Sequence, residues 1–409
     1  MSCITDMMPE MKVGKELILS LQSLPEYDEI ICNQTADIRL MELSNLYNIY
    51  IPSRMSVEIY SKLYLALLHS LQKKGTKEAV RQYNENFKAI KQQSYNGIIG
   101  GADSFTIIGS SGIGKSSAIN RAINLITENR IIEIRKPYTK IIPCVVVQCP
   151  FDSSVKGLLL EILRKVDETI DTDYYKYAVK ARATTDMLIG SVSQVALNHI
   201  GLLVVDEIQN VVNNRQGKSL VGMLTQLINN SGISICMVGT PESSAFFEQA
   251  MQLARRSLGL QYGAMKYDME FKRFCEKIFK YRYVQNESFL TDSMVEWLYE
   301  HSGGITSVVV SLIHDAQEIA ILTGKEVLNI ETLNEAYHKR LALLHSFIRK
   351  PAEKRKLEKP EKEIHVIKKS KSKNIDIMTI SELVNKSKEE NIDIITLLKE
   401  HFNVTEVKV

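Results

Sequence analysis

The chain has 409 residues, of which 44% are hydrophobic and 24% charged. That balance excludes a mainly disordered chain, a collagenous one and a small disulfide scaffold. Lys and Arg number 51 against 48 Asp and Glu, a net charge of +3, so any basic surface must be local.

The length predicts two to three domains. The N-terminal region, residues 1–95, reads as mostly helical: Tyr60, Leu63, Tyr64, Leu67, Leu68 and Leu71 recur at helical spacing. Ile51-Pro52 marks a break before that helix, and the stretch from Gly97 to Gly101 marks one after the region. Met1 to Leu24 carries scattered acidic and polar residues and no uninterrupted apolar core, so no signal peptide is expected there. No apolar run reaches the roughly 20 residues that span a bilayer, so no membrane contact and a cytoplasmic location are expected. Six cysteines (3, 32, 144, 149, 236 and 275) form no CxxC pair and read as buried free thiols.

Residues 96–285 alternate short apolar runs with amphipathic stretches. The runs are Phe105–Ile108, Ile141–Val147, Leu202–Val205 and Ile233–Val238. They are apolar on successive residues, the pattern of strands buried on both faces of a parallel sheet. Val155, Leu158, Leu159, Ile162, Leu163 and Val166 make one helical stripe between them; Leu220, Leu224, Leu227 and Ile228 make another. The fold class is therefore α/β, doubly wound. Residues 286–348 are helical only, with Val308, Val309, Leu312, Ile313 and Ala316 on one face and Tyr337, Leu341, Leu344 and Ile348 on another. This is expected to be a small lid domain. From Arg349 to Lys373 there are eleven Lys and Arg against four Glu. Residues 349–376 read as a flexible basic linker, and 377–409 as a short C-terminal segment.

Gly109-Ser110-Ser111-Gly112-Ile113-Gly114-Lys115-Ser116 fits the P-loop pattern GxxxxGK[ST], with an apolar strand before it and Ile119, Ala122, Ile123 and Ile126 after it. Glycines let backbone N–H groups curl toward phosphate oxygens, and the helix N-terminus adds positive potential. Residues 109–117, through Ser117, form the expected ATP cradle. Lys115 is expected on the β- and γ-phosphates and the Ser116 hydroxyl on Mg²⁺. Leu202-Leu203-Val204-Val205-Asp206-Glu207 reads as a Walker B strand, in which Asp206 holds Mg²⁺ and Glu207 polarises the attacking water. Thr240, at the tip of the next apolar run, is placed either to orient that water or to cap a helix before Glu242. Arg255 and Arg256 are candidates for an arginine finger entering a neighbouring subunit's site; the alternative is a pair of surface arginines at a helix end.

The order P-loop, Walker B, strand-end Thr, Arg pair and helical domain resembles an AAA+ ATPase. Gln148-Cys149-Pro150-Phe151-Asp152-Ser153-Ser154-Val155-Lys156-Gly157-Leu158, Asp206-Glu207-Ile208-Gln209-Asn210 and Val238-Gly239-Thr240-Pro241-Glu242 narrow this to the TnsC/TniB family of transposition ATPases. Tyr50-Ile51-Pro52 also resembles that family's N-terminal segment. The resemblance covers roughly residues 35–320. It implies an ATP-dependent regulator of a cut-and-paste transposon, assembled as a ring or helical filament, hexameric or heptameric, around duplex DNA. Its implied partners are transposase subunits and a target selector of TnsD/TniQ type, with release on ATP hydrolysis. Adenine contacts are implied near Ile51 to Arg54. Where AAA+ lids often carry a GxxR arginine, Ser302-Gly303-Gly304-Ile305-Thr306-Ser307 has none, which suggests slow hydrolysis.

The family's DNA-facing loops correspond to the stretch from Ser153 to Lys156 and to the stretch from Ala181 to Asp186. Lys156, Arg182, Thr184 and Thr185 are the expected backbone contacts, since helix starts with hydroxyls and a nearby cation bind phosphate without reading sequence. Helix capping by Ser153 and Thr184 is the competing reading. Tyr174, Tyr175 and Tyr177 interleave with Lys176 and Lys180; a packed hairpin is expected there rather than a single-strand platform. The basic linker either binds DNA by counterion release, tethers a partner-docking tail, or only solubilises. Two other functions fit the same motifs: a replication initiator or helicase loader, and a signalling or defence NTPase that scaffolds proteins without touching DNA.

Overall fold

The computed structural model describes residues 4–74, 76–92, 104–135, 138–152, 154–211, 217–244 and 257–341. Cys3, Ser153, Arg255, Arg256, Leu344, Ile348, the break from Gly97 to Gly101, and the whole basic linker and C-terminal segment lie outside the described residues.

The N-terminal part contributes helices α1 (Gly14–Leu21), α2 (Ala36–Glu42), α3 (Arg54–Lys74) and α4 (Lys77–Gln92). The α/β part runs β1 (Ser104–Gly109), α5 (Lys115–Thr127), β2 (Ile132–Arg135), β3 (Tyr138–Gln148), α6 (Val155–Ile170), α7 (Tyr174–Lys180), α8 (Thr185–His199), β4 (Ile200–Asp206), α9 (Gly217–Ser231), β5 (Ser234–Gly239) and β6 (Ser257–Tyr262). Four helices follow: α10 (Met269–Phe279), α11 (Asp292–Ser302), α12 (Thr306–Leu322) and α13 (Ile330–Lys339).

The sheet order is β2-β3-β4-β5-β1-β6, with every neighbouring pair parallel except the antiparallel β2–β3. All four doubly apolar runs are strands within it. The two strands that the sequence did not announce lie at the sheet's edges. An edge strand needs no second apolar face: Ile132-Glu133-Ile134-Arg135 alternates, and so does Leu258-Gly259-Leu260-Gln261.

Alternate strand residues divide between two cores. Val145, Val147, Leu203, Val205, Ile235 and Met237 pack against α6, α8 and α9. Ile107, Leu202, Val204, Cys236 and Val238 pack against α3 and α5. Helix α6 shows why these stretches are helical. Its predicted stripe is buried throughout, and Ser154 Oγ accepts the Gly157 N–H at 3.0 Å, satisfying a first-turn donor. The stretch expected as a tyrosine hairpin is instead the short helix α7. The Asp167 carboxylate accepts the N–H groups of Tyr174 (2.9 Å) and Tyr175 (2.8 Å), so an acid from the preceding helix caps its positive end.

The lid helices close a third core, in which α12 contributes Val309, Leu312, Ile313 and Ala316, as its periodicity predicted. Residues before β1 are shared between cores. Leu17, Leu21, Ile59, Leu63 and Leu67 lie under the sheet, whereas Leu43 and Leu46 lie in the lid. Arg39 ties the second group down. It is 2% exposed, pairs with both Glu326 oxygens at 2.7 and 2.8 Å, and donates to Tyr283 O at 2.9 Å. The five described cysteines are free thiols, and burial pushes Cys149 up to about 11 and Cys275 up to about 12. No single helix among the described residues is long and apolar enough to cross a membrane.

Candidate nucleotide-binding site

Parallel pairing sets the C-terminal ends of five strands along one edge. The register joins Gly109 to Tyr262, Ile108 to Gly239, and Gln148 to Asp206. Helix α5 then packs on one face while α6, α8 and α9 pack on the other. That reversal opens a crevice beyond the strand ends, where ligands of doubly wound sheets bind.

The P-loop leaves β1 at this edge. Gly112 and Gly114 take φ of 79° and 91°, and Gly114 caps α5 with no side chain. Lys115, the first helical residue, is 9% exposed. Its ammonium donates to Gly109 O at 2.6 Å and Ser110 O at 2.9 Å. Burial lowers its proton affinity, and the carboxylates of Asp206, Glu207 and Glu242 work against that shift. A cation buried in a glycine turn, with three acids in its field, is a phosphate-binding electrostatic arrangement.

Walker A and Walker B meet directly, with Ser116 Oγ donating to Asp206 Oδ2 at 3.3 Å. A hydroxyl and a carboxylate oxygen so placed fit a hard divalent cation such as Mg²⁺, which takes oxygen ligands. Glu207 holds φ of 59°, a left-handed conformation that costs a non-glycine residue about 1–2 kcal/mol. Its N–H donates to Asp206 Oδ1 at 2.8 Å and its carbonyl accepts from Asn210 N at 3.0 Å. Positive φ recurs at plain helix ends such as Glu128 and Asp171; at Glu207 it falls on a strand-end acid in the crevice.

Thr240 follows β5 at the N-cap of the turn Pro241–Ser243, and its side chain makes no capping bond there. The crevice thus gathers Lys115, Ser116, Asp206, Glu207 and the end of β5. Ser110, Ser111, Gly112, Ile113, Gly114 and Ser117 follow the P-loop and the first turn of α5.

Two features escaped sequence reasoning. The first is a contact from P-loop to lid. Gly112 O accepts from both Ser307 N and Thr306 Oγ1 at 3.1 Å, so the stretch where the arginine is missing touches the loop itself. A Cβ on Gly112 would lie 2.9 Å from Ile305 Cγ2 and against Ser307 Oγ. The second is the polar pair after the Walker B acids. Gln209 bonds Glu207 and the Thr240 backbone, and Asn210 Nδ2 donates to Cys149 O at 3.1 Å. Polar residues directly behind two strand-end acids were the available signal.

Residues 49–51 bridge the two halves. Ile49 and Ile51 pack against the lid core, while Tyr50 packs against the sheet core and pairs with Ser23 in an antiparallel bridge. Of the DNA candidates, Lys156 is exposed in the first turn of α6, and Arg182 and Thr184 are exposed around buried Ala183. Thr184 caps α8, accepting Met187 N–H at 3.4 Å, and Thr185 opens that helix. Capping of α6 falls to Ser154.

A doubly wound sheet, a P-loop meeting a Walker B acid, and a helical lid touching that loop define an AAA+ P-loop protein. Residues 76–259 match the family model described as Bacterial TniB protein, and that span holds both Walker segments. None of the curated proteins matches the sequence. Solved structures overlap it loosely. The Aeropyrum pernix ORC2 protein in ADPNP–ADP complexes is 16% identical, with 64% of this chain and 67% of that one covered and a TM-score of 0.39. The Aeropyrum pernix ORC1 protein in complex with DNA is 14% identical, with 64% of each chain covered and a TM-score of 0.42. Drosophila ORC bound to DNA is 13% identical, with 85% of this chain and 72% of that one covered and a TM-score of 0.44.

Proposed function

We propose that this protein is an ATP-dependent, DNA-binding regulator of transposition. ATP-bound copies assemble as a ring or filament on target duplex, link a target-selection protein of TnsD/TniQ type to the transposase, and leave on ATP hydrolysis. The observation that carries this reading is the TniB match over the very span in which Ser116 meets Asp206.

The chain's own residues have these roles. The backbone of residues 109–117 and the Lys115 ammonium bind the triphosphate. Ser116 and Asp206 hold Mg²⁺, which when bound supplies charge neutralisation on the phosphates. Glu207 accepts the proton of the attacking water, and Thr240 orients that water. Arg256 or Arg255 of a neighbouring copy supplies the cation that stabilises transition-state charge. Lys156, Arg182, Thr184 and Thr185 contact DNA phosphates, which makes binding independent of sequence. Residues 377–409 dock the partner.

The test is electron microscopy and gel shift on a short duplex with a non-hydrolysable ATP analogue. Assemblies are expected only with nucleotide, and binding should weaken steeply with salt, by a log–log slope of about −0.9 per phosphate neutralised. Lys115→Ala should abolish assembly, and Glu207→Gln should leave a complex that persists with ATP. A wild-type protein that stays monomeric and ignores duplex with every nucleotide refutes the reading.

A further inference from the structure

One side chain touches both halves of the hydrolysis apparatus. Gln209 Nε2 donates to Glu207 Oε2, and Gln209 Oε1 accepts the Thr240 backbone N–H at 3.3 Å. The turn that carries it, Ile208–Val211, is fixed on three sides. Ile208 is fully buried, Asn210 N closes on Glu207 O, and Asn210 Nδ2 reaches Cys149 O at the end of β3. The end of β5 can come this close because residue 239 is glycine. A Cβ there would stand 2.6 Å from Ile208 Cγ2 and against Ser243 Oγ.

The chemistry of the bridge is selective. A terminal amide offers a donor and an acceptor on one rigid plane. Alanine offers neither, and glutamate offers no donor. The bond to Glu207 uses Oε2 and leaves Oε1 for a water. We propose that Gln209 is a positioning residue for ATP hydrolysis, fixing the Glu207 carboxylate against the end of β5 so that base and strand-end threonine act on the same water. This rests on the reading of Glu207 as the base.

The test compares steady-state ATP hydrolysis, binding of a fluorescent ATP analogue and thermal melting for the full chain and three variants. Gln209→Ala should lower kcat on the order of 100-fold, the scale of a misplaced reacting group, with KM, analogue affinity and melting temperature unchanged. Gln209→Glu keeps the acceptor toward Thr240 but sets a second carboxylate against Glu207; it should fall at least as far, because neighbouring carboxylates resist joint ionisation. Gln209→Ala hydrolysing at the wild-type rate overturns the proposal. So does a variant whose KM rises and whose melting temperature falls as kcat drops, the mark of a merely structural role. Glu207→Gln separates the two levels. If it still hydrolyses ATP, the reading of Glu207 fails and the proposal with it. If it is inactive while Gln209→Ala is fully active, only the role of Gln209 fails.

Discussion

The nucleotide crevice and the N-terminal clasp on the lid are built in opposite ways. The crevice is made from short contiguous motifs. Apart from buried Lys115, its polar groups are partly exposed and joined by few bonds, such as the 3.3 Å contact of Ser116 with Asp206. The clasp is made from distant residues. Arg39 meets Glu326 across 287 positions of sequence, and its guanidinium is almost wholly buried with four bonds made. A site that must bind and release a charged ligand keeps its groups accessible and its bonds exchangeable. A joint that fixes one part of the chain to another buries its charges and saturates them.

The largest expected effect breaks the clasp. Arg39→Ala leaves the partly buried Glu326 carboxylate with the Gln285 N–H in place of its ion pair, and the expected cost is about 3 kcal/mol, the lower end for breaking a buried pair. Chemical denaturation should show that loss, whereas replacing both residues with apolar ones of similar volume should recover much of it. Arg39 also holds the Glu326 carboxyl below its ordinary value of 4.5. A depressed acid stabilises above its unfolded value and ceases to do so as pH falls through its folded one. The gap between wild type and Arg39→Ala should therefore be full above about pH 5 and close in more acidic solution.

The same contrast governs what the sequence discloses. The P-loop and Walker B are legible because the backbone curl, the lysine and the acids must sit at fixed spacing along the chain. The four inner strands are legible because burial on both faces leaves only Thr106 and Ser234 as polar residues within their apolar runs. Arg39 is opaque: a single arginine in Asp37-Ile38-Arg39-Leu40 looks like any surface cation until the chain brings Glu326 to it. Edge strands β2 and β6 are obscure because half of each faces outward. Glu207 is legible as an acid, but its left-handed backbone and its tie through Gln209 to Thr240 depend on β4 and β5 lying side by side.

A smaller effect tests where crevice and lid touch. Gly112→Ala incurs the left-handed backbone cost of about 1–2 kcal/mol and also drives a methyl group into Ile305 and Ser307. Gly114→Ala has the backbone cost alone, since nothing lies within 4 Å of its Cβ position. In melts without nucleotide, Gly112→Ala should therefore fall further than Gly114→Ala. Equal melting temperatures would mean that the P-loop and lid are not joined through Thr306 and Ser307 in solution.

The smallest effect lies on the DNA candidates, and it separates a phosphate contact from a helix cap. Lys156→Ala and Arg182→Ala should each flatten the salt dependence of duplex binding by a slope of about 0.9 and leave melting nearly unchanged, because both side chains are exposed. Thr184→Ala should behave differently. Its hydroxyl already accepts the Met187 N–H, so its loss costs about 1 kcal/mol of stability. It carries no charge, so the salt slope should hold. If Lys156→Ala and Arg182→Ala leave the slope untouched, DNA runs along another face and the crevice acts on it from elsewhere. If only one of them does, the two helix starts do not share a track, and the flattened slope shows which of α6 and α8 the duplex follows.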